Sequence, residues 1–257
     1  MSMPALAARL RNGETIYSGW VTMPEPLVAE TVARAGFDCV VLDMQHGLLD
    51  TGSVMTGIGA IALAGRPAVV RVPVGDDATA SRVLDMGAEA IIAPMINSVA
   101  EARALAAATK YPPMGERSWG PLRAMTLEGI DQPLQYLESA NRTSFTFAMI
   151  ETVRALDALD DILAVDGIDG VFVGPFDLSV SLSAGRQVAP GDISVDAPIK
   201  HIALRAAAVG KVAGIYAPTP ERARSFRASG YRFIAIAGDQ TYLTFGAAEL
   251  LRTAIRA

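Results

Sequence analysis

Eight short runs rich in Val, Ile and Phe alternate along this chain with longer segments rich in Ala, Leu, Arg and Glu, and four of the runs lead straight into polar residues. Val40-Val41-Leu42 is followed by Asp43 and His46, Val69-Val70 by Arg71, Ala148-Met149-Ile150 by Glu151, and Val171-Phe172-Val173 by Gly174 to Asp177. Such alternation is the pattern of parallel strands joined by crossover helices. Polar groups directly behind strands are what an α/β chain closed into a (β/α)8 TIM barrel uses, since its chemistry gathers where the strands end. Strands are expected near 17–21, 39–42, 68–70, 90–93, 146–150, 170–173, 212–215 and 233–237. Several are announced by a helix ending in glycine, at Gly36, Gly87, Gly210 and Gly230, which supplies a left-handed C-cap.

The 257 residues match the ~250 of one barrel, so residues 1–257 are expected to form a single domain. A net charge of -5, with no basic stripe interleaved with aromatics, argues against nucleic acid as a partner. Cys39 is the single cysteine, which excludes a disulfide within the chain and fits a reducing compartment. No run reaches the ~20 apolar residues of a membrane span, and residues 1–14 lack the apolar core of a signal peptide. The expectation is a cytoplasmic protein opening on a short helix.

Two connections, 111–129 and 175–196, are long enough to be read as functional loops. Glu151 and Asp177 have two readings. Each carboxylate could merely cap the helix that follows it. Together, at the ends of neighbouring strands, they would repel unless a cation sat between them, and an oxygen-only donor set favours Mg2+ or Mn2+. Arg71 is read either as a structural ion-pair partner or as an oxyanion stabiliser. His46 follows Asp43 by three positions, where a carboxylate can orient an imidazole and raise its basicity, whereas His201 falls in a helical segment. Gly174-Pro175 reads as a turn whose following amides could receive a substrate carboxylate. Of three lysines, Lys110, Lys200 and Lys211, none is placed at a strand end, which disfavours a Schiff-base mechanism.

Taken in order, Leu42-Asp43-Met44-Gln45-His46-Gly47, Arg71-Val72-Pro73-Val74, Leu84-Asp85-Met86-Gly87-Ala88, Tyr111 to Arg117, Ile150-Glu151-Thr152 and Val173 to Ser179 resemble a known family. It is that of the metal-dependent class II 2-oxo-acid aldolases of the hydroxy-oxo-heptanedioate and 2-dehydro-3-deoxyglucarate aldolase type. The resemblance implies a barrel of the phosphoenolpyruvate/pyruvate-binding kind and a divalent metal. It also implies reversible aldol addition of pyruvate or hydroxypyruvate to an aldehyde. By position it gives the metal to Glu151 and Asp177, enolate stabilisation to Arg71, proton transfer to His46, and the donor carboxylate to the backbone at Phe176 and Asp177. It further implies a homo-oligomer, a hexamer. Gln45, Met149 and Phe176 depart from the family's commoner Glu, Gln and Ala, and the last two bear on donor and acceptor preference.

Asp85, which the resemblance links to the basicity of His46, precedes the fourth strand and so belongs to the opposite barrel face. Its expected reach is to His46 of a neighbouring subunit. Two other functions stand beside the aldolase reading: a lyase or decarboxylase making the same enolate from oxaloacetate or a malyl or citryl thioester, and a barrel that binds a 2-oxo acid without turnover.

Overall fold

The computed structural model describes residues 5–255. Eight parallel strands close on themselves in sequence order: β1 Ile16–Val21, β2 Cys39–Asp43, β3 Ala68–Arg71, β4 Ala90–Ala93, β5 Phe145–Ile150, β6 Gly170–Val173, β7 Val212–Ala217 and β8 Phe233–Ile236. Helices fill every connection, giving the (β/α)8 barrel that the alternating pattern predicts. Gly36, Gly87, Gly210 and Gly230 all have positive φ, as expected where a helix must turn back toward the sheet.

The strands separate two apolar layers. Side chains such as Val40, Leu42, Val70, Ile91, Ile150 and Val173 pack outward against the helices. Those alternating with them, among them Val41, Val69, Ile92, Phe147, Phe172 and Phe233, fill the barrel interior, as the two-residue period of a strand requires. Phe147 packs on Phe145, Phe172 and Phe233 at centroid separations of 4.6, 6.3 and 5.1 Å. Room for these rings comes from absent side chains. A Cβ at Gly214 would lie 2.8 Å from Phe172, and one at Gly170 would lie 2.5 Å from the Val212 carbonyl oxygen.

One mouth of the barrel is plugged. Helix Leu6–Arg11 inserts Leu6 and Leu10 into the interior cluster, and its first amide donates to Glu89 at 2.8 Å. A cavity can therefore open only at the opposite mouth, where the strands end.

Three sequence expectations change. Asp43 and Arg71, expected just behind their strands, are instead the last residues of β2 and β3, and they are register partners on adjacent strands. The two long connections are not plain loops: the first contains helix Leu122–Glu128 and the second begins with helix Pro175–Leu182. Proline explains both misreadings, because it breaks the apolar periodicity while favouring a helix's first turn. Among the described residues, no helix is long and apolar enough to cross a membrane.

Candidate active site

Register places Asp43 beside Arg71, and the pair closes as a two-point bridge. Arg71 Nε donates to Asp43 Oδ1 at 2.8 Å and Nη2 to Oδ2 at 2.6 Å. Both residues are buried, and a planar fork on a carboxylate is the geometry that best offsets the loss of hydration. Asp43 also accepts from Trp20 Nε1 at 3.2 Å and from the backbone amides of Gln45 and His46 at 3.1 and 3.3 Å. Burial pushes the Asp43 carboxyl up, but the Arg71 bonds and charge outweigh it and hold the group below its ordinary range. The expectation that Asp43 orients the His46 imidazole is thereby corrected. Its oxygens are engaged by Arg71, Trp20 and main-chain amides, so it fixes the loop that carries the histidine rather than the ring. The guanidinium of Arg71 also lies 4.9 Å from the centroid of Trp20, a favourable cation–π arrangement.

Glu151 follows β5 and is 2% exposed. The capping alternative fails for it, since Thr152 caps the next helix by accepting from the Ala155 amide at 3.0 Å. Glu151 Oε2 accepts from the Met95 amide at 3.0 Å, offered by a residue held at φ 58 just beyond β4. The Thr152 hydroxyl donates to Asn97, whose own amide donates to the Met95 carbonyl. Loops after β4 and β5 are thus tied together around the carboxylate. Burial, followed by the adjacent Asp177, pushes the Glu151 carboxyl up to about 7, against the Met95 bond and the Arg71 charge.

Asp177 sits in the first turn of helix Pro175–Leu182, where an acidic side chain also favours the helix dipole. Buried Glu151 and exposed Asp177 form an oxygen-only pair, and the nearby Arg71 is already committed to Asp43, the chemistry of a site for a hard divalent cation. No group of three or more His, Cys, Asp or Glu converges as a metal site among the described residues. Further positions would then fall to water and substrate. Pro175 opens the helix without an N–H, and the amides of Phe176 and Asp177 lie in the turn where no intrahelical acceptor exists.

A cavity of about 390 Å3 lies at the open mouth, lined by His46, Arg71, Gly174, Asp177 and a wall of aromatic rings. His46 is exposed there, while His201 lies in helix Ile193–Ala208. Asp85 is elsewhere. It ends helix Asp77–Asp85, before β4, and is bound to Arg117 at 2.6 Å. The lysines also stay away from the strand ends: buried Lys110 pairs with Asp169 at 2.6 Å, and Lys211 precedes β7.

Sequence reasoning missed Trp20, Tyr216 and Asp239, which line the same cavity. Asp239 is buried and accepts from the amides of Thr22 and Met23, both at 2.8 Å. It follows β8 as Asp43 closes β2, so the polar-after-strand signal was present there too. Trp20 and Tyr216 lie inside strands and carry no such mark.

A family model described as HpcH/HpaI aldolase/citrate lyase matches residues 17–244. A hydroxypyruvate/pyruvate aldolase of Rhizorhabdus wittichii is 41% identical over 243 residues, covering 95% of each chain. A 4-hydroxy-2-oxovalerate aldolase of Novosphingobium aromaticivorans is 35% identical, over 95% of this chain and 92% of that protein. Among solved structures, an HpcH/HpaI aldolase/citrate lyase family protein from Burkholderia cenocepacia superposes with a TM-score of 0.86 at 29% identity, covering 98% of this chain and 99% of the other.

Proposed function

The chain belongs to the HpcH/HpaI aldolase/citrate lyase family, and from that premise we propose that it adds the enolate of pyruvate or hydroxypyruvate reversibly to an aldehyde, giving a 4-hydroxy-2-oxo acid. The observation that carries this reading is the buried Glu151 beside Asp177, at the same strand-end mouth as an arginine fixed by Asp43. Glu151 and Asp177 would hold Mg2+ or Mn2+, since two oxygens with raised mutual repulsion fit a hard cation. Bound there, such an ion would supply Lewis acidity toward a keto oxygen and so acidify the neighbouring carbon.

The chain's own groups do the rest. The amides of Phe176 and Asp177 receive the donor carboxylate at a helix N-terminus. Arg71 spends Nε and Nη2 on Asp43, leaving Nη1 as the edge presented to the developing enolate oxygen. Because Asp43 already fixes the guanidinium, that stabilisation needs no reorganisation during the reaction. His46 holds and returns the proton at the alkoxide oxygen formed from the aldehyde, directly or through a water. Cleavage is the same path reversed.

The assembly is proposed as a homo-oligomer, a hexamer, acting in the cytoplasm with 1–257 as one domain. The last helix, Asp239–Ile255, leaves Phe245, Leu250, Leu251 and Ile255 exposed, a patch that suits a protein contact. Asp85, remote from the strand ends in its own subunit, would complete the site of a neighbour at His46.

Proton NMR of pyruvate, and of hydroxypyruvate in parallel, in D2O tests the reading without any aldehyde. Metal-stripped protein should leave the C3 proton signal intact, and added Mn2+ or Mg2+ should erase it. Arg71→Ala should abolish that exchange while metal affinity stays nearly unchanged. Exchange retained in the variant would remove Arg71 from its role, and no exchange with either donor would turn the assignment toward another donor or a binding protein.

A further inference from the structure

The cavity has two unlike halves. Its polar half is the Arg71, His46 and Asp177 side; the other half is a connected set of rings. Phe172 packs on Trp20 at 6.0 Å between centroids, Trp20 on Tyr216 at 5.6 Å and 81°, and Tyr216 on Phe176 at 6.3 Å and 61°. The first pair is tilted at 33° and the other two meet edge to face, arrangements that aromatic rings favour. Three of the rings rise from β6, β1 and β7, while Phe176 stands at the start of the helix after β6. Phe176 is 40% exposed although its neighbours Pro175 and Leu178 are buried, so a large apolar face is left open at the rim. Buried Met149, register partner of Phe172, is also part of the lining.

Charge decides what such a wall would accept. Arg71 is the lining's one arginine, no lysine lines the cavity, and the arginine's charge is matched by Asp43. With Asp177 assigned to the metal, Asp239 is the lining carboxylate left over. A second anionic group on an aldehyde would lose its hydration and, away from the metal, meet a carboxylate and no further arginine or lysine. An uncharged ring would find the exposed face of Phe176 and the half-buried ring of Tyr216, backed by buried Trp20 and Phe172.

We propose that the aldehyde taken by this site is an uncharged aryl or bulky apolar one, seated against the corner that Phe176 and Tyr216 form. The proposal rests on the donor chemistry above. In the step it concerns, the donor's C3–H bond gives up its proton, a bond forms between C3 and the aldehyde carbon, and the aldehyde oxygen ends as a hydroxyl.

The test uses the metal-loaded full chain with saturating pyruvate and three acceptors: benzaldehyde, the anionic succinic semialdehyde, and the small neutral glycolaldehyde. Wild type should favour benzaldehyde over succinic semialdehyde by tenfold or more in kcat/KM. In Phe176→Ala and in Tyr216→Leu, the ratio of kcat/KM for benzaldehyde to that for glycolaldehyde should fall about tenfold. The ratio is the readout because a general loss of activity cancels from it. A wild-type preference for succinic semialdehyde, or a ratio unchanged in both variants, would overturn the proposal while pyruvate proton exchange in D2O still upheld the donor chemistry. Absence of that exchange in wild type would instead sink the donor reading and this inference with it.

Discussion

Burial pushes two carboxylates of the site up, but their net shifts have opposite signs, and the difference has measurable consequences. Asp43 is held below its ordinary range by Arg71, so its contribution to stability is present at neutral pH and is lost as pH falls through its folded value. Glu151 is raised from 4.5 to about 7. Without metal, the folded state then binds a proton that the unfolded state has released. Stability attributable to Glu151 should therefore decline between pH 4.5 and about 7, to a cost on the order of 3 kcal/mol above that range. Glu151→Gln keeps an acceptor for the Met95 amide and removes the charge. In chelator at pH 8 it should melt higher than wild type, and Mn2+ should no longer raise its Tm; a lower melting temperature would mean that the buried charge is compensated by some other group. Glu151 and Arg71 were legible in the sequence because both stand at the end of an apolar run. The work of Asp43 was not, because its partners are a register neighbour, a tryptophan inside another strand and main-chain amides, none of which a single run of sequence sets beside it.

At the level of elements, the junction between β6 and helix Pro175–Leu182 fixes the metal-side carboxylate by close contact. A Cβ on Gly174 would lie 2.4 Å from Glu151 Oε1, while the backbone there, at φ -96 and ψ 96, suits any residue. Gly174→Ala should thus act through that contact alone. We expect a stability loss of about 1–3 kcal/mol from overpacking, with at least a tenfold loss of Mn2+ affinity by calorimetric titration. Thr152→Ala, which removes a helix cap at about 1 kcal/mol together with the loop bond to Asn97, should leave that affinity within a few fold. Equal losses in the two variants would show that the loop, not the contact, governs the carboxylate. The strands themselves were readable to within one or two residues, since burial on both faces makes them continuous apolar runs. Helices Leu122–Glu128 and Pro175–Leu182 were hidden by the prolines that open or precede them.

For the whole molecule, the proposed reach of Asp85 to a neighbouring His46 has an outcome that a monomeric site could not produce. Asp85→Asn and His46→Asn chains, each of low activity alone, should regain activity when unfolded together and refolded as a mixture. A mixed interface pairs the intact Asp85 of one chain with the intact His46 of the other. Activity that stays at the sum of the two variants would place both residues in service of one subunit. Nothing in a single sequence marks which surface meets a copy of itself; the hint came from a side chain lying on the wrong face of the barrel for its role. Closure of the strands in sequence order carries one more consequence. Tyr216 stands on β7, whereas Asp43, Arg71, Glu151 and Asp177 belong to β2, β3, β5 and the connection after β6. A change at position 216 therefore reaches the groups that make the nucleophile only through Trp20, so the proposed choice of partner molecule and the making of the nucleophile rest on different strands of one barrel.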